Sequence, residues 1–370
     1  MVRVLHELSA LDGGGVAKLL YDYYSHMDRE KIHFDFLIQD FYDEGIYEKP
    51  LRELGCTIYK IPRIKKDKKG YLQGMKKVIC EGDYDVVHSH MGARGLFPMY
   101  YARKAKVAQR IVHSHIAYEP ISKLKRCFDI ILSCVAKMNA TTLFACGSEA
   151  GKYMWGKRCY QKGKVTIMTN AVDTKAYEFA AEIREKKRKE LGVGDKLVIG
   201  IVGRLSEQKN YPFLFDAYKE LLNICNDVVL VIVGRGLEEE NIKERARQLK
   251  MEEHILFLGV RNDVPELLNA FDMFVLPSHY EGLPVVLIEA QANGLKQLVS
   301  NKVTDEMRIT DLIEFLSIEG TEKLWAEKMA ACCSNVEKRM SYSQQVAKAG
   351  YDINLASKKM EEFYLMEEKG

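Results

Sequence analysis

Short apolar runs rich in β-branched residues alternate with helix-like stretches along almost the whole chain, and few folds accept such an order. The runs lie at residues 2–8, 34–38, 57–61, 86–90, 111–115, 142–146 and 165–168, and Gly, Asp, Asn or Pro tends to bound them. Strands that alternate with helices build βαβ units around a mostly parallel sheet. The two buried faces of such a sheet explain why its strands read as continuous apolar runs. After Asn170-Ala171-Val172-Asp173 comes a charged stretch at 182–190 with the look of a solvated helix. A second series then begins, with strand-like runs at 197–202, 228–233, 255–258, 273–276 and 297–299. The break predicts an α/β chain of two doubly wound, Rossmann-like domains, 1–172 and 173–345. Residues 346–370, helical in composition, are expected to form a C-terminal helix that packs back toward the first domain.

The length of 370 residues leaves each domain enough chain for its own core. No run approaches the roughly 20 apolar residues of a membrane span, and no secretory signal opens the chain. Nine cysteines, an odd number without a Cys-x-x-Cys pair, point to reduced thiols and a cytoplasmic protein. The vicinal Cys332-Cys333 reads as helix packing. The net charge of +3 hides an asymmetry: residues 1–172 carry 28 Lys and Arg against 18 Asp and Glu, the remainder 27 against 34. An anionic membrane surface is one partner for the basic half, and no aromatic-interleaved basic motif supports nucleic acid. The basic features are the run 63–69 and the stretch 123–138, which mixes Lys123, Lys125, Arg126 and Lys137 with Leu124, Phe128, Ile130 and Ile131. Such a helix suits the inner face of a membrane as a peripheral anchor, or an internal helix with a basic rim.

Three motifs sit where second-series strands end. Gly203-Arg204-Leu205 with Lys209 offers a tight exit and two cations near a helix start, a setting for a diphosphate. Gly234-Arg235-Gly236 adds a glycine turn and a further arginine, a diphosphate contact or a surface residue. Glu281-Gly282-Leu283-Pro284 leads into a helix that carries Glu289, about two helical turns on. Glu281 would then lie at the mouth of the helix, Glu289 within it, and the N–H groups of Leu283, Val285 and Val286 would point toward phosphate oxygens. A carboxylate within a helix can accept both hydroxyls of a ribose, and one at the mouth can hold sugar hydroxyls. Each motif alone fits a solvated surface equally well. His88 and His90 share a strand face, as do His113 and His115. Paired histidines can bind metal, but no carboxylate or thiolate stands at a ligand spacing beside them, so no metal is expected.

Taken together, Gly203-Arg204-Leu205-Ser206-Glu207-Gln208-Lys209-Asn210, the Glu281 to Glu289 spacing and Ala290-Gln291-Ala292-Asn293-Gly294-Leu295 resemble the signature of the family 4 retaining glycosyltransferases, which have the GT-B fold. Asp12-Gly13-Gly14-Gly15-Val16 resembles that family's glycine loop. Arg110-Ile111-Val112-His113-Ser114-His115 and Phe144-Ala145-Cys146-Gly147-Ser148-Glu149-Ala150-Gly151 are similar to its capsular and exopolysaccharide branch. The likeness runs from about residue 2 to 330; it is specific for the family and poorly specific for the sugar. Lys296 stands where the family usually has Pro, and Ala17-Lys18 where an acidic residue is common.

The resemblance implies two domains facing across a cleft, with the acceptor on the first and a nucleotide-sugar donor, UDP-hexose or UDP-N-acetylhexosamine by preference, on the second. Arg204 and Lys209 would neutralise the diphosphate beside Gly203, with Glu289 on the ribose and Glu281 on the donor sugar. Gly14 and Gly15 would admit the phosphates, and His113, preferred over His115, would hydrogen-bond near the sugar or leaving phosphate. The catalytic set is thus His113, Glu281, Arg204 and Lys209, with no metal or other cofactor. The acceptor would be a glycan or a lipid-linked sugar. Alternatives are an enzyme like the UDP-sugar 2-epimerases and a non-catalytic nucleotide-sugar-binding subunit.

Overall fold

A computed structural model of the chain describes all residues except 13, 42–43, 117–121, 332–338 and 367–370. Gly13, the pair Cys332-Cys333 and the end of the C-terminal stretch therefore lie outside the described residues. The chain divides into two compact units, Met1–Ala171 with Ile353–Gly370, and Val172–Asp352.

Among the described residues the first unit holds seven strands: β1 Val2–Glu7, β2 Ile32–Gln39, β3 Ile58–Ile61, β4 Val86–Ser89, β5 Gln109–Ser114, β6 Thr142–Ala145 and β7 Val165–Ile167. They form one parallel sheet in the order β3-β2-β1-β4-β5-β6-β7. The order turns back between β1 and β4, the place where open α/β sheets leave a crevice beyond their carboxyl ends. Burial on both faces explains the unbroken apolar runs, and Val4, Phe34, Phe36, Val86, Ile111 and Phe144 all belong to one core cluster.

The second unit holds β8 Leu197–Val202, β9 Val228–Val233, β10 Ile255–Gly259, β11 Met273–Leu276, β12 Lys296–Ser300 and β13 Ile313–Leu316. They pair in parallel in the order β10-β9-β8-β11-β12-β13, so the reversal falls between β8 and β11. The strand β13 was not anticipated. It is a four-residue edge strand, Ile-Glu-Phe-Leu, whose later residues are only half-buried; three of the four are apolar, and its shortness is what hid it.

The second unit runs to Asp352 rather than ending at 345. Val172 N–H donates to Tyr351 O at 2.9 Å, and Thr174 Oγ1 donates to Asp352 Oδ2 at 3.0 Å, which ties the returning chain to the unit's first residues. The helix Ile353–Leu365 belongs to the first unit, where Ile353, Ala356, Met360 and Tyr364 enter the core. Among the described residues no helix is long and apolar enough to cross a membrane.

Candidate functional site

The loops that follow β8 and β11 lie at the second sheet's reversal point. The chain leaves β8 at Gly203, where an added Cβ would come within 2.8 Å of Lys209 Cε, so the lysine stem occupies the space a side chain would need. Gly234, after β9, has φ +134°, and a Cβ there would meet Gly203 O at 1.9 Å; only glycine fits this crossing. Lys209 ends a short turn, Glu207–Lys209, and Asn210 then takes a left-handed conformation before the helix Tyr211–Ile224.

Lys209 is not a free cation. Its Nζ lies 2.6 Å from Glu281 Oε1, with the two residues 8% and 9% exposed. Ser278 Oγ donates to the same carboxylate oxygen at 2.7 Å, and Gln208 Nε2 donates to Oε2 at 3.1 Å and to Tyr280 O at 2.8 Å. His279 N–H closes the latch on Gln208 O at 2.9 Å. Two residues that the sequence assigned to different parts of a ligand are therefore one buried ion pair. Such a pair is stable only when hydrogen bonds satisfy the remaining lone pairs, and Ser278 and Gln208 supply them. Neither was singled out from the sequence, although Gln208 lies inside the motif that carried the resemblance; only the folded loops show its role.

Glu289 lies in the helix Val285–Ala292 at 4% exposure and accepts a hydrogen bond from Tyr177 Oη at 2.8 Å. Tyr177 was also missed; it stands just past the linker with no spacing signal. Leu283 is buried and Val285 and Val286 are half-buried at the start of this helix, whose first turn has no side-chain cap. Uncapped N–H groups and the positive end of the helix dipole attract an anion. Arg204 and Arg235 are exposed on neighbouring strand exits, and the Arg235 guanidinium lies toward Gly259 at the end of β10, two strands from the reversal.

In the first unit Asp12 Oδ1 accepts from Gly14 N–H at 3.0 Å, and Gly14 precedes the helix Gly15–Ser25. Gly15 is exposed, and a Cβ on it would meet nothing within 4 Å, so packing within the protein does not demand glycine there. The strand pairing aligns His6 with His88 across β1 and β4, and the two-residue period adds His90, His113 and His115 to the same side. His113 is 1% exposed, and neither of its ring nitrogens finds a hydrogen-bond partner; His115 is the more open of the two. Burial holds His6 down at about 3 and His115 at about 4, with Asn170 acting in the opposite direction on His115. Burial, with the neighbouring rings second, also holds His88, His90 and His113 well below the usual imidazole range. All five rings are neutral at pH 7. His6 was missed because only the β1–β4 pairing brings it to the others.

The sequence profile described as "Glycosyl transferases group 1" matches residues 182–349. "Putative glycosyltransferase EpsF" of Bacillus subtilis is 32% identical over 357 residues, which span 95% of this chain and 93% of that one. An Escherichia coli "UDP-Gal:alpha-D-GlcNAc-diphosphoundecaprenol alpha-1,3-galactosyltransferase" is 32% identical over 243 residues, 64% of this chain and 62% of the relative. Among solved structures, that of Anabaena HepE "in complex with UDP and glucose" superposes with a TM-score of 0.80 at 19% identity, over 98% of this chain and 99% of the other.

Proposed function

This chain belongs to the group 1 glycosyltransferases and has their GT-B fold, and from that premise we propose that it transfers a hexose or N-acetylhexosamine from a UDP-linked donor to a lipid-linked glycan in surface polysaccharide synthesis. The observation that carries the reading is the network of Lys209, Glu281, Ser278 and Gln208 at the reversal of the second sheet, beside an uncapped helix start. HepE was crystallised with UDP and glucose, and the E. coli relative is named for a UDP-Gal donor and a diphosphoundecaprenol-linked acceptor. Both favour a UDP-linked donor here, and the second favours a lipid-linked acceptor.

In this reading the diphosphate lies at the start of the helix Val285–Ala292, against Arg204 and Lys209 and close to the Gly203 turn. Lys209 is held in place by Glu281 before the ligand arrives, so little reorganisation is needed when charge builds on the leaving group. Glu281 faces donor-sugar hydroxyls with its geometry fixed by Ser278 and Gln208. Glu289, oriented by Tyr177, accepts the ribose hydroxyls. Gly15, where an added Cβ would meet nothing within 4 Å, is assigned with Gly14 to phosphate oxygens, and His113 is the member of the set on β5. The bond from the sugar anomeric carbon to the diphosphate oxygen breaks, a bond to the acceptor oxygen forms on the same face, and the acceptor proton passes to the departing diphosphate. No metal takes part in these steps.

The helix Lys123–Asn139 supports peripheral membrane binding on the cytoplasmic side. It buries only Ser133, Ala136 and Asn139 and turns Leu124, 82% exposed, with Phe128, Ile131 and Met138 outward beside Lys123 and Lys125. An apolar face fringed by lysines suits an anionic leaflet, where a lipid-linked acceptor would reside.

The test is a panel of nucleotide sugars assayed for slow donor hydrolysis, which needs no acceptor. Release of UDP from one UDP-sugar, lost on Lys209→Ala, is the expected result. No release from any of them, with no calorimetric binding of UDP, would remove the reading.

A further inference from the structure

The last turn of the helix Ile353–Leu365 touches two of the rings that pack around His113. We propose that Tyr364, with Phe363 beside it, positions His113: the Tyr364 hydroxyl fixes the His88 ring, and the His88 and Phe144 rings fix His113. The inference rests on the donor-side role proposed for His113.

Among the described residues neither ring nitrogen of His113 has a hydrogen-bond partner, and both are buried. An unmet buried polar atom is costly, and a ring that keeps two of them is ready to meet sugar or phosphate oxygens. The same openness leaves the ring without a hydrogen bond to orient it, so its orientation comes from packing. His88 lies 5.4 Å away between ring centres with its plane at 15°, and Phe144 stands edge-on at 5.6 Å. His90 and His115 complete the surround at 5.5 and 4.1 Å.

The first two of these rings are held in turn by the C-terminal helix. His88 Nδ1 lies 2.7 Å from Tyr364 Oη, and Phe363 packs on Phe144 with ring centres 4.9 Å apart. Burial raises the Tyr364 hydroxyl well above its usual value and holds His88 well below its own, so at neutral pH the phenol keeps its proton and the imidazole is uncharged. The phenol then donates to Nδ1, which leaves the His88 proton on Nε2. Nε2 has no partner among the described residues, so one hydrogen bond sets this ring. The turn is itself clamped to the strand that carries His113. Gln109, at the start of β5, donates from Nε2 to Tyr364 O at 3.2 Å and to Met366 O at 2.7 Å, taking up carbonyls that a helix end leaves open. Core packing alone does not ask for a tyrosine here. The ring stands edge-on to Phe34 and His6, and phenylalanine would fill the same space; the oxygen serves His88.

The test is Tyr364→Phe in the full chain, which keeps the ring and removes only the oxygen. kcat for UDP release from the accepted UDP-sugar should fall about 10–100-fold, as expected when a group near the reacting atoms is slightly misplaced. KM for the donor and the calorimetric Kd of UDP should stay as in the wild type, a split that a general loss of folded protein would not produce. In a His113→Ala background the same substitution should cost nothing further, because no ring remains to be positioned. Should Tyr364→Phe fail to fold, Phe363→Leu, at a half-buried position, takes its place with the same expected fall in kcat and the same dependence on His113. An equal loss in the His113→Ala background overturns the proposal. A wild-type chain that binds UDP and releases it from the donor, with a folded Tyr364→Phe chain of equal kcat, removes this inference alone. A wild-type chain that neither binds nor releases UDP removes the donor reading, and this inference with it.

Discussion

The two units solve the same problem in opposite ways. Each is a parallel sheet whose strand order reverses once, and each gathers buried polar side chains at the carboxyl ends of the strands beside that reversal. The second unit fills the place with a charge pair whose lone pairs are taken up by Ser278 and Gln208. The first fills it with neutral imidazoles, several of whose nitrogens are left without a partner. A satisfied charge pair is rigid and presents a fixed field to a ligand; a set of neutral rings with unmet nitrogens presents hydrogen-bonding atoms. Similar architecture therefore does not imply similar chemistry, because the function resides in the side chains set on the scaffold.

The comparison breaks most readily at Lys209. Lys209→Ala should lower donor turnover by about 10²–10³-fold. It should also cost roughly 3–5 kcal/mol of stability by leaving Glu281 buried and unpaired. Lys209→Met combined with Glu281→Gln should recover part of that stability and none of the turnover, read by urea unfolding beside the donor assay. Full activity in a folded Lys209→Ala enzyme would show that the pair is only structural.

The next test is acid. Folded-state pKa values of the five histidines lie below the ordinary value near 6.5, so between the two the unfolded chain binds more protons. Their contribution to stability is complete above about pH 6.5 and is lost as pH falls toward 4 and 3. Glu7 runs the other way: burial raises it to about 7, so its contribution is held at low pH and given up as pH rises from about 4.5 to 7. Five rings against one carboxyl predict a net loss on acidification, up to about 1.4 kcal/mol per pH unit for each proton taken up. Denaturant titrations at pH 7.5 and 5.5 measure it, and equal or greater stability at the lower pH would contradict the neutral-ring description.

Phe128→Ser with Ile131→Ser should weaken binding to vesicles containing phosphatidylglycerol by about 10-fold or more, since each substitution removes an exposed apolar side chain from the interface. Cosedimentation measures this, and unchanged binding would move the membrane contact elsewhere. The last test is Tyr177→Phe. Loss of one hydrogen bond to a carboxylate is worth about 1.5–3 kcal/mol, so KM for the donor should rise by roughly 10-fold or more with kcat nearly unchanged. A fall in kcat with KM unchanged would separate Glu289 from ribose binding.

Twelve strands were legible as short apolar runs bounded by turn residues; β13, Ile313–Leu316, is as apolar as several of them and was overlooked, a four-residue run between loops. The glycine turns and the Glu281 to Glu289 spacing were legible for a related reason: tight turns and helix periods are local and leave a mark within a few residues. The contacts were not. Lys209 and Glu281 lie on loops after different strands, and nothing in their spacing says that they touch. Tyr177 reaches Glu289, and His6 reaches His90, only through the packing of distant segments.

The sequence by itself determined the alternation of strands and helices, the break between two domains and the residue types at the strand ends, since each depends on neighbours along the chain. Only the tertiary structure decided which of those side chains are paired, which are buried without partners, and which face of the helix Lys123–Asn139 turns outward. Those outcomes depend on strand order and register, and they bring together atoms that are far apart in the sequence.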